Sequence, residues 1–136
     1  MSVEFVDTNV FVYAHEGGAG QKHRKAVDLL TRLFEEQSGA LSVQVLTEFY
    51  VTATKKLGMK SQEAEDIIAD LGSWTIHRPA HADVLRASGI HRVHKVSWWD
   101  ALIINSATEL GCALLWSEDL GKGQRFGSLT VRNPFA

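Results

Sequence analysis

Four acidic residues in this chain sit where their type and spacing could do chemistry. Asp7 closes the apolar run "VEFV", and Asp119 lies two residues past "CALLWS". Asp100 stands at the head of a very apolar stretch in "SWWDALIINSA", and Glu48 falls in "SVQVLTEFY", displaced from the main apolar stripe of its helix. Carboxylates brought together would suit a hard divalent cation such as Mg²⁺ or Mn²⁺, which prefers oxygen ligands. Without a cation they would repel, and at least one pKa would rise. A bound ion can lower the pKa of water, polarise a phosphoryl oxygen and stabilise a leaving oxygen, the three demands of phosphodiester hydrolysis.

Each acid also has a plainer explanation. Ser97-x-x-Asp100 fits a capping box, Asp7 could cap a short helix, and Asp119 lies in a Gly-rich loop where aspartate is common. Glu48 alone reads as a solvated helix residue. What favours a shared site is the elements that must carry these side chains. Residues 3–6 read as a short strand ending in the polar turn Asp7-Thr8-Asn9. Ala26, Leu29, Leu30 and Leu33 recur at helical spacing. Gly39–Ser42 reads as a short strand or turn, with Ser42 as N-cap of a helix running to about Leu57. Ser61 opens another helix, residues 74–77 a strand, 80–91 a helix and 98–109 a further one. Residues 112–116 read as a buried strand, 117–127 as a polar loop and 129–132 as a last strand. Strands alternating with helices predict an α/β fold with a mainly parallel sheet. In such a sheet, strand-end aspartates share one rim, and helix N-termini approach it.

At 136 residues the chain is expected to form one domain, residues 1–136. The net charge of −2 argues at first against a nucleic-acid partner. Yet if four of the 16 acids are committed to a metal, the 14 Lys and Arg outnumber the remainder by two. Lys22, Arg24, Lys55, Lys56, Lys122 and Arg125 are then candidates for contacts to a phosphate backbone. The one cysteine, Cys112, and a start without a basic segment leading into an apolar one predict a cytoplasmic protein. No run approaches the ~18 apolar residues of a membrane span. The pairs His77/His81 and His91/His94 have spacings that could ligate zinc, but one cysteine and no paired cluster make surface or helix-end roles the better reading.

The stretches "VDTNVFVYA", "SVQVLTEFY", "SWWDALIINSATELGCALLWSEDL" and "GQRFGSLTVRNPF", in this order from Val6 to Phe135, together resemble the PIN-domain family, and within it the VapC-type toxins of toxin–antitoxin pairs. The resemblance implies a three-layer α/β/α sandwich with a mainly parallel central sheet and an acidic pocket, acting as a metal-dependent endoribonuclease, transfer RNA being the expected substrate class. It carries the family's acids onto Asp7, Glu48, Asp100 and Asp119, with Asp7, Asp100 and Asp119 as Mg²⁺ ligands (Mn²⁺ a substitute) and Glu48 holding water or tuning the ion. It makes Thr8, Asn9 and Ser117 groups that orient the carboxylates. Many relatives carry Asn before the last aspartate where this chain has Glu118, which makes Glu118 an alternative ligand. A cognate VapB-like antitoxin is expected in apolar grooves between the N-terminal helices, blocking the pocket, with Leu46, Phe49, Tyr50, Ile67 and Leu71 as candidate contacts; homodimerisation is expected as well. Two rivals remain: a catalytically silent PIN-like binding module, and a metal-dependent phosphatase. The latter would need a second acid two residues after its nucleophilic aspartate, where this chain has Asn9.

Overall fold

The computed structural model describes residues 2–120 and 123–136. Strand β1 (Glu4–Val6) leads through Asp7 into helix α1 (Thr8–Tyr13), and helix α2 (Gln21–Glu36) returns the chain to β2 (Gly39–Ser42). Ser42 caps α3 (Val43–Lys55) by accepting a hydrogen bond from the Val45 N–H at 3.4 Å. Helix α4 (Ser61–Asp70), β3 (Thr75–His77), α5 (His81–His94) and α6 (Trp98–Glu109) follow, then β4 (Leu114–Trp116), β5 (Arg125–Phe126) and β6 (Leu129–Arg132). The sheet order is β3-β2-β1-β4-β6-β5, parallel throughout except for the β5–β6 pair. This is the mixed α/β architecture with a mostly parallel central sheet that the alternation of elements predicts. Strand β5 lies inside the stretch read from sequence as loop; two residues are too few to carry a period.

Right-handed crossovers decide where the helices go. From β1 to β2 to β3 the chain moves one way across the sheet, so α1 to α4 share a face. From β3 it doubles back past β1 to β4, which sends α5 and α6 to the other face. The contacts agree: α1 packs on α2 and α3, α3 on α4, and α5 on α6. The core between these layers is Phe5, Phe11, Leu33, Leu41, Phe49, Ile103, Ile104, Leu115 and Leu129, all essentially without solvent contact. β1 and β4 belong to opposite halves of the winding and are neighbours, with Val6 opposite Trp116. That junction is where strand order reverses and a crevice opens at the strand carboxyl ends.

Gly39 is fixed by a close approach. A Cβ there would sit 2.4 Å from the Trp74 ring, which itself packs against Phe11 at 5.6 Å between centroids. Among the described residues no helix is long and apolar enough to cross a membrane.

Candidate active site

The crevice is a cavity of about 740 Å³, and Asp7, Glu48, Asp100 and Asp119 all line it. Four different pieces of chain supply them. Asp7 follows β1 and Asp119 follows β4, Asp100 lies in the first turn of α6, and Glu48 points from the middle of α3. Asp7 is the most buried, 7% exposed. Its backbone N–H still belongs to the sheet, donating to the Trp116 carbonyl at 2.9 Å. Its Oδ1 accepts from the Thr8 N–H at 2.7 Å and its Oδ2 from the Ser117 hydroxyl at 2.8 Å. The Thr8 hydroxyl donates onward to Glu48 Oε1 at 2.7 Å. The Asn9 amide donates to Asp119 Oδ2 at 3.0 Å. Thr8 therefore contacts both Asp7 and Glu48, Ser117 contacts Asp7, and Asn9 contacts Asp119.

Ser97 caps α6, accepting from the Asp100 N–H at 3.1 Å, so the capping reading of this turn and its place in the cavity coexist. Ser117 also accepts from the Asp119 and Leu120 N–H groups at 3.3 Å, which folds the turn carrying Asp119. Gln44 was not singled out by sequence reasoning. It donates to Glu48 Oε2 at 3.1 Å, and its i, i+4 offset from Glu48 on a helix was the available signal.

The electrostatics are those of a site short of positive charge. Burial pushes the Asp7 carboxyl up to about 6, against the hydrogen bonds from Ser117 and Thr8, and the charges of Glu48 and Asp100 add to the rise. Asp100 is raised too, first by burial, then by Asp119 and Glu48, with Ser97 opposing. Among the described residues no three acidic, His or Cys side chains are drawn close enough to form a metal cage. The donor set fits a hard cation in kind. Each Asp7 oxygen keeps a free lone pair, and Asn9 Oδ1, a buried oxygen beside the acids, has no hydrogen-bond partner among the described residues.

Glu118 turns away from this cluster. It accepts from the Tyr13 hydroxyl at 3.0 Å and pairs with Lys22, whose ammonium lies 5.1 Å over the Tyr13 ring. Neighbours in a turn point in different directions, and Glu118 is spent on this latch, while Asp119 lines the cavity. Lys22 is correspondingly engaged rather than free. Arg24, Lys55, Lys56 and Arg125 are exposed, and of these only Lys56 reaches the cavity; Lys122 lies outside the described residues. Phe49, a candidate partner contact, is core; Tyr50 is exposed, and Leu46, Ile67 and Leu71 are half-buried. His77 is committed inside the protein, its Nδ1 2.7 Å from the Ser106 hydroxyl and its Nε2 3.5 Å from Asp83. His91 Nδ1 lies 2.7 Å from the Val96 carbonyl.

A family model of the PIN domain matches residues 5–121, from β1 past Asp119, and so spans every piece of chain that supplies an acid. The chain belongs to the PIN-domain family. Among solved structures, this PIN domain is similar to a toxin–antitoxin complex from Klebsiella pneumoniae (TM-score 0.72, 19% identity, covering 97% of this chain and 98% of that one). It is similar also to VapBC2 of Rickettsia felis bound to a DNA fragment from its promoter (0.69, 18%, 96% and 98%). A third is VapC20 of Mycobacterium tuberculosis, a toxin that cleaves the sarcin–ricin loop (0.66, 18%, 85% and 90%). At these identities the likeness is one of fold. A search of curated proteins finds no match.

Proposed function

We propose that this PIN domain is a metal-dependent endoribonuclease and the toxin of a toxin–antitoxin pair. The observation that carries the reading is the convergence of four acids from four elements on one cavity, around a buried Asp7 that no cationic side chain among the described residues neutralises. Asp7, Asp100 and Asp119 would hold Mg²⁺, with Mn²⁺ as a substitute. When bound, the ion would lower the pKa of water and offset charge at a phosphodiester. The protein's own part is positioning. Ser117 and the Thr8 N–H hold Asp7, Asn9 steers Asp119, and Thr8 with Gln44 fixes Glu48 so that its carboxylate can take a proton from the attacking water.

The partner side of the proposal rests on the fold. The similar structures include toxin–antitoxin complexes, so a VapB-like antitoxin is the proposed partner, with exposed Tyr50 on α3 among its contacts. Homodimerisation, transfer RNA as the substrate class and a cytoplasmic location belong to the same proposal.

The test is cleavage of an RNA pool with Mg²⁺. Asp7→Ala and Asp100→Ala should each lower the rate more than about 100-fold, beyond what losing a group around the ligands costs, with circular dichroism unchanged. EDTA should stop the wild-type protein. Undiminished cleavage by both variants would overturn the assignment, and RNA binding without cleavage by the wild type would favour a silent binding module.

A further inference from the structure

Of the four tryptophans, three are half-buried and engaged. Trp74 packs on Phe11, Trp98 lies edge-on to His91 at 6.4 Å, and the Trp116 N–H donates to Glu4 at 2.8 Å. Trp99 is different: it is 61% exposed, it lines the acid-floored cavity, and it directly precedes Asp100. What marks Trp99 is that its flat π-face is exposed at the cavity that holds the acids. Its place is also set by the site itself. Gln44, which holds Glu48, donates to the Trp99 carbonyl at 3.4 Å, so the turn carrying the indole is tied to an acid of the cluster.

Other parts of the cavity wall have a matching character. Val51 and Thr47 from α3 and Lys56 at its C-terminal end line the same cavity, with Ile103 also in its wall. Its walls therefore combine apolar surface, the amides of Asn9 and Gln44, several hydroxyls and, among the described residues, one ammonium, above a floor of carboxylates. A flat apolar ring with polar edges, joined to a phosphate, matches that lining. On the ribonuclease reading, on which this inference rests, we infer that Trp99 is the stacking platform for the nucleobase beside the scissile phosphate, and that Lys56 meets a flanking phosphate. Every base has a π-face, so such a platform tolerates sequence. It requires the nucleotide to be unpaired, because a base inside a duplex is already stacked and cannot splay onto the indole. A protein segment over Trp99 is the competing occupant. The continuity of the wall with the acids favours the nucleotide, since a phosphodiester seated at Asp7 and Asp100 brings its neighbouring base to Trp99.

The experiment begins by sequencing the ends of an RNA pool cut by the wild-type protein, then uses a short single strand spanning one cut site. Trp99→Ala should raise KM about 10-fold to 100-fold, Trp99→Phe should restore most of the loss, and Trp99→Leu, which keeps apolar bulk without a π-face, should not. An abasic nucleotide at one position flanking the cut should cost the wild type a similar factor and cost Trp99→Ala nothing further. A complementary strand pairing that nucleotide should suppress cleavage. Wild-type KM in Trp99→Ala, or abasic and protein penalties that simply multiply, would overturn the inference while leaving the ribonuclease reading intact. Normal cleavage by a Trp99→Ala variant that no longer binds its antitoxin would assign the indole to the protein partner. A wild-type protein that cuts no RNA would defeat both.

Discussion

Asp7 is where the cost of the site is concentrated. Its carboxyl titrates near 6 in the folded chain and near 3.9 when unfolded. Between those values the native state binds more protons, so stability falls as pH rises from about 4 to about 6 and stays low above. The deficit at neutral pH is at most about 3 kcal/mol. Asp7→Asn should therefore be more stable than wild type in EDTA at pH 7.5, by about 1–2 kcal/mol in denaturant melts, and the gain should vanish near pH 4. An equal midpoint at pH 7.5 would show that Asp7 carries no such penalty. At this scale the sequence was legible in the acids, because a charge at a strand end or helix start is conspicuous. It was not legible in Glu118, whose direction depends on one turn and on Lys22 and Tyr13 some 100 residues away.

The elements that carry the acids are held by polar as well as apolar contacts. Asp83, buried on α5, accepts from the Ala80 N–H at 2.7 Å, from Asn105 on α6 at 2.9 Å and from Arg86 at 3.0 Å. These donors, the Ala80 N–H foremost, hold its carboxyl well below the usual range. Its sign is opposite to that of Asp7: the contribution is present above pH 4 and is lost as the pH falls further. Asp83→Ala strands a buried Asn105 amide and should cost about 2–3 kcal/mol, read as a lower melting midpoint at pH 7. A change within experimental error would mean that α5 and α6 are joined by apolar packing alone. The helices themselves were readable from apolar spacing and the Ser42 and Ser97 caps. The Asp83–Asn105–His77 knot was not, because polar residues on three different elements leave no periodic trace. Strand ends also moved inward by a residue or two, as with β4, which pairs only from Leu114 although the apolar run starts at Cys112.

For the whole molecule, a net charge of −2 with acids gathered in one cavity makes the fold a better partner for cations than its composition suggests. A ligand that binds only the native state stabilises it by mass action, about 2.7 kcal/mol at 100 times Kd. Mg²⁺ should thus raise the wild-type Tm by about 5–10 °C and leave a combined Asp7→Asn, Asp100→Asn protein unmoved. An equal rise in both would place the ion elsewhere. The topology was open to sequence reasoning only as a class. Alternation implies parallel strands, but the order β3-β2-β1-β4-β6-β5 depends on which way each crossover turns.

That order has a consequence for a chain being made on the ribosome. β4 inserts between β1 and β6, and the Ser117 hydroxyl that steadies Asp7 arrives with it, 110 residues after Asp7 itself. A nascent chain can fold β1, β2 and the helices α1 to α3 first, since synthesis presents the N-terminal part earliest. It then holds Asp7 and Glu48 but lacks Asp119, Ser117 and the strand that carries them. The four acids therefore come to line one cavity only after the chain through Asp119 has emerged.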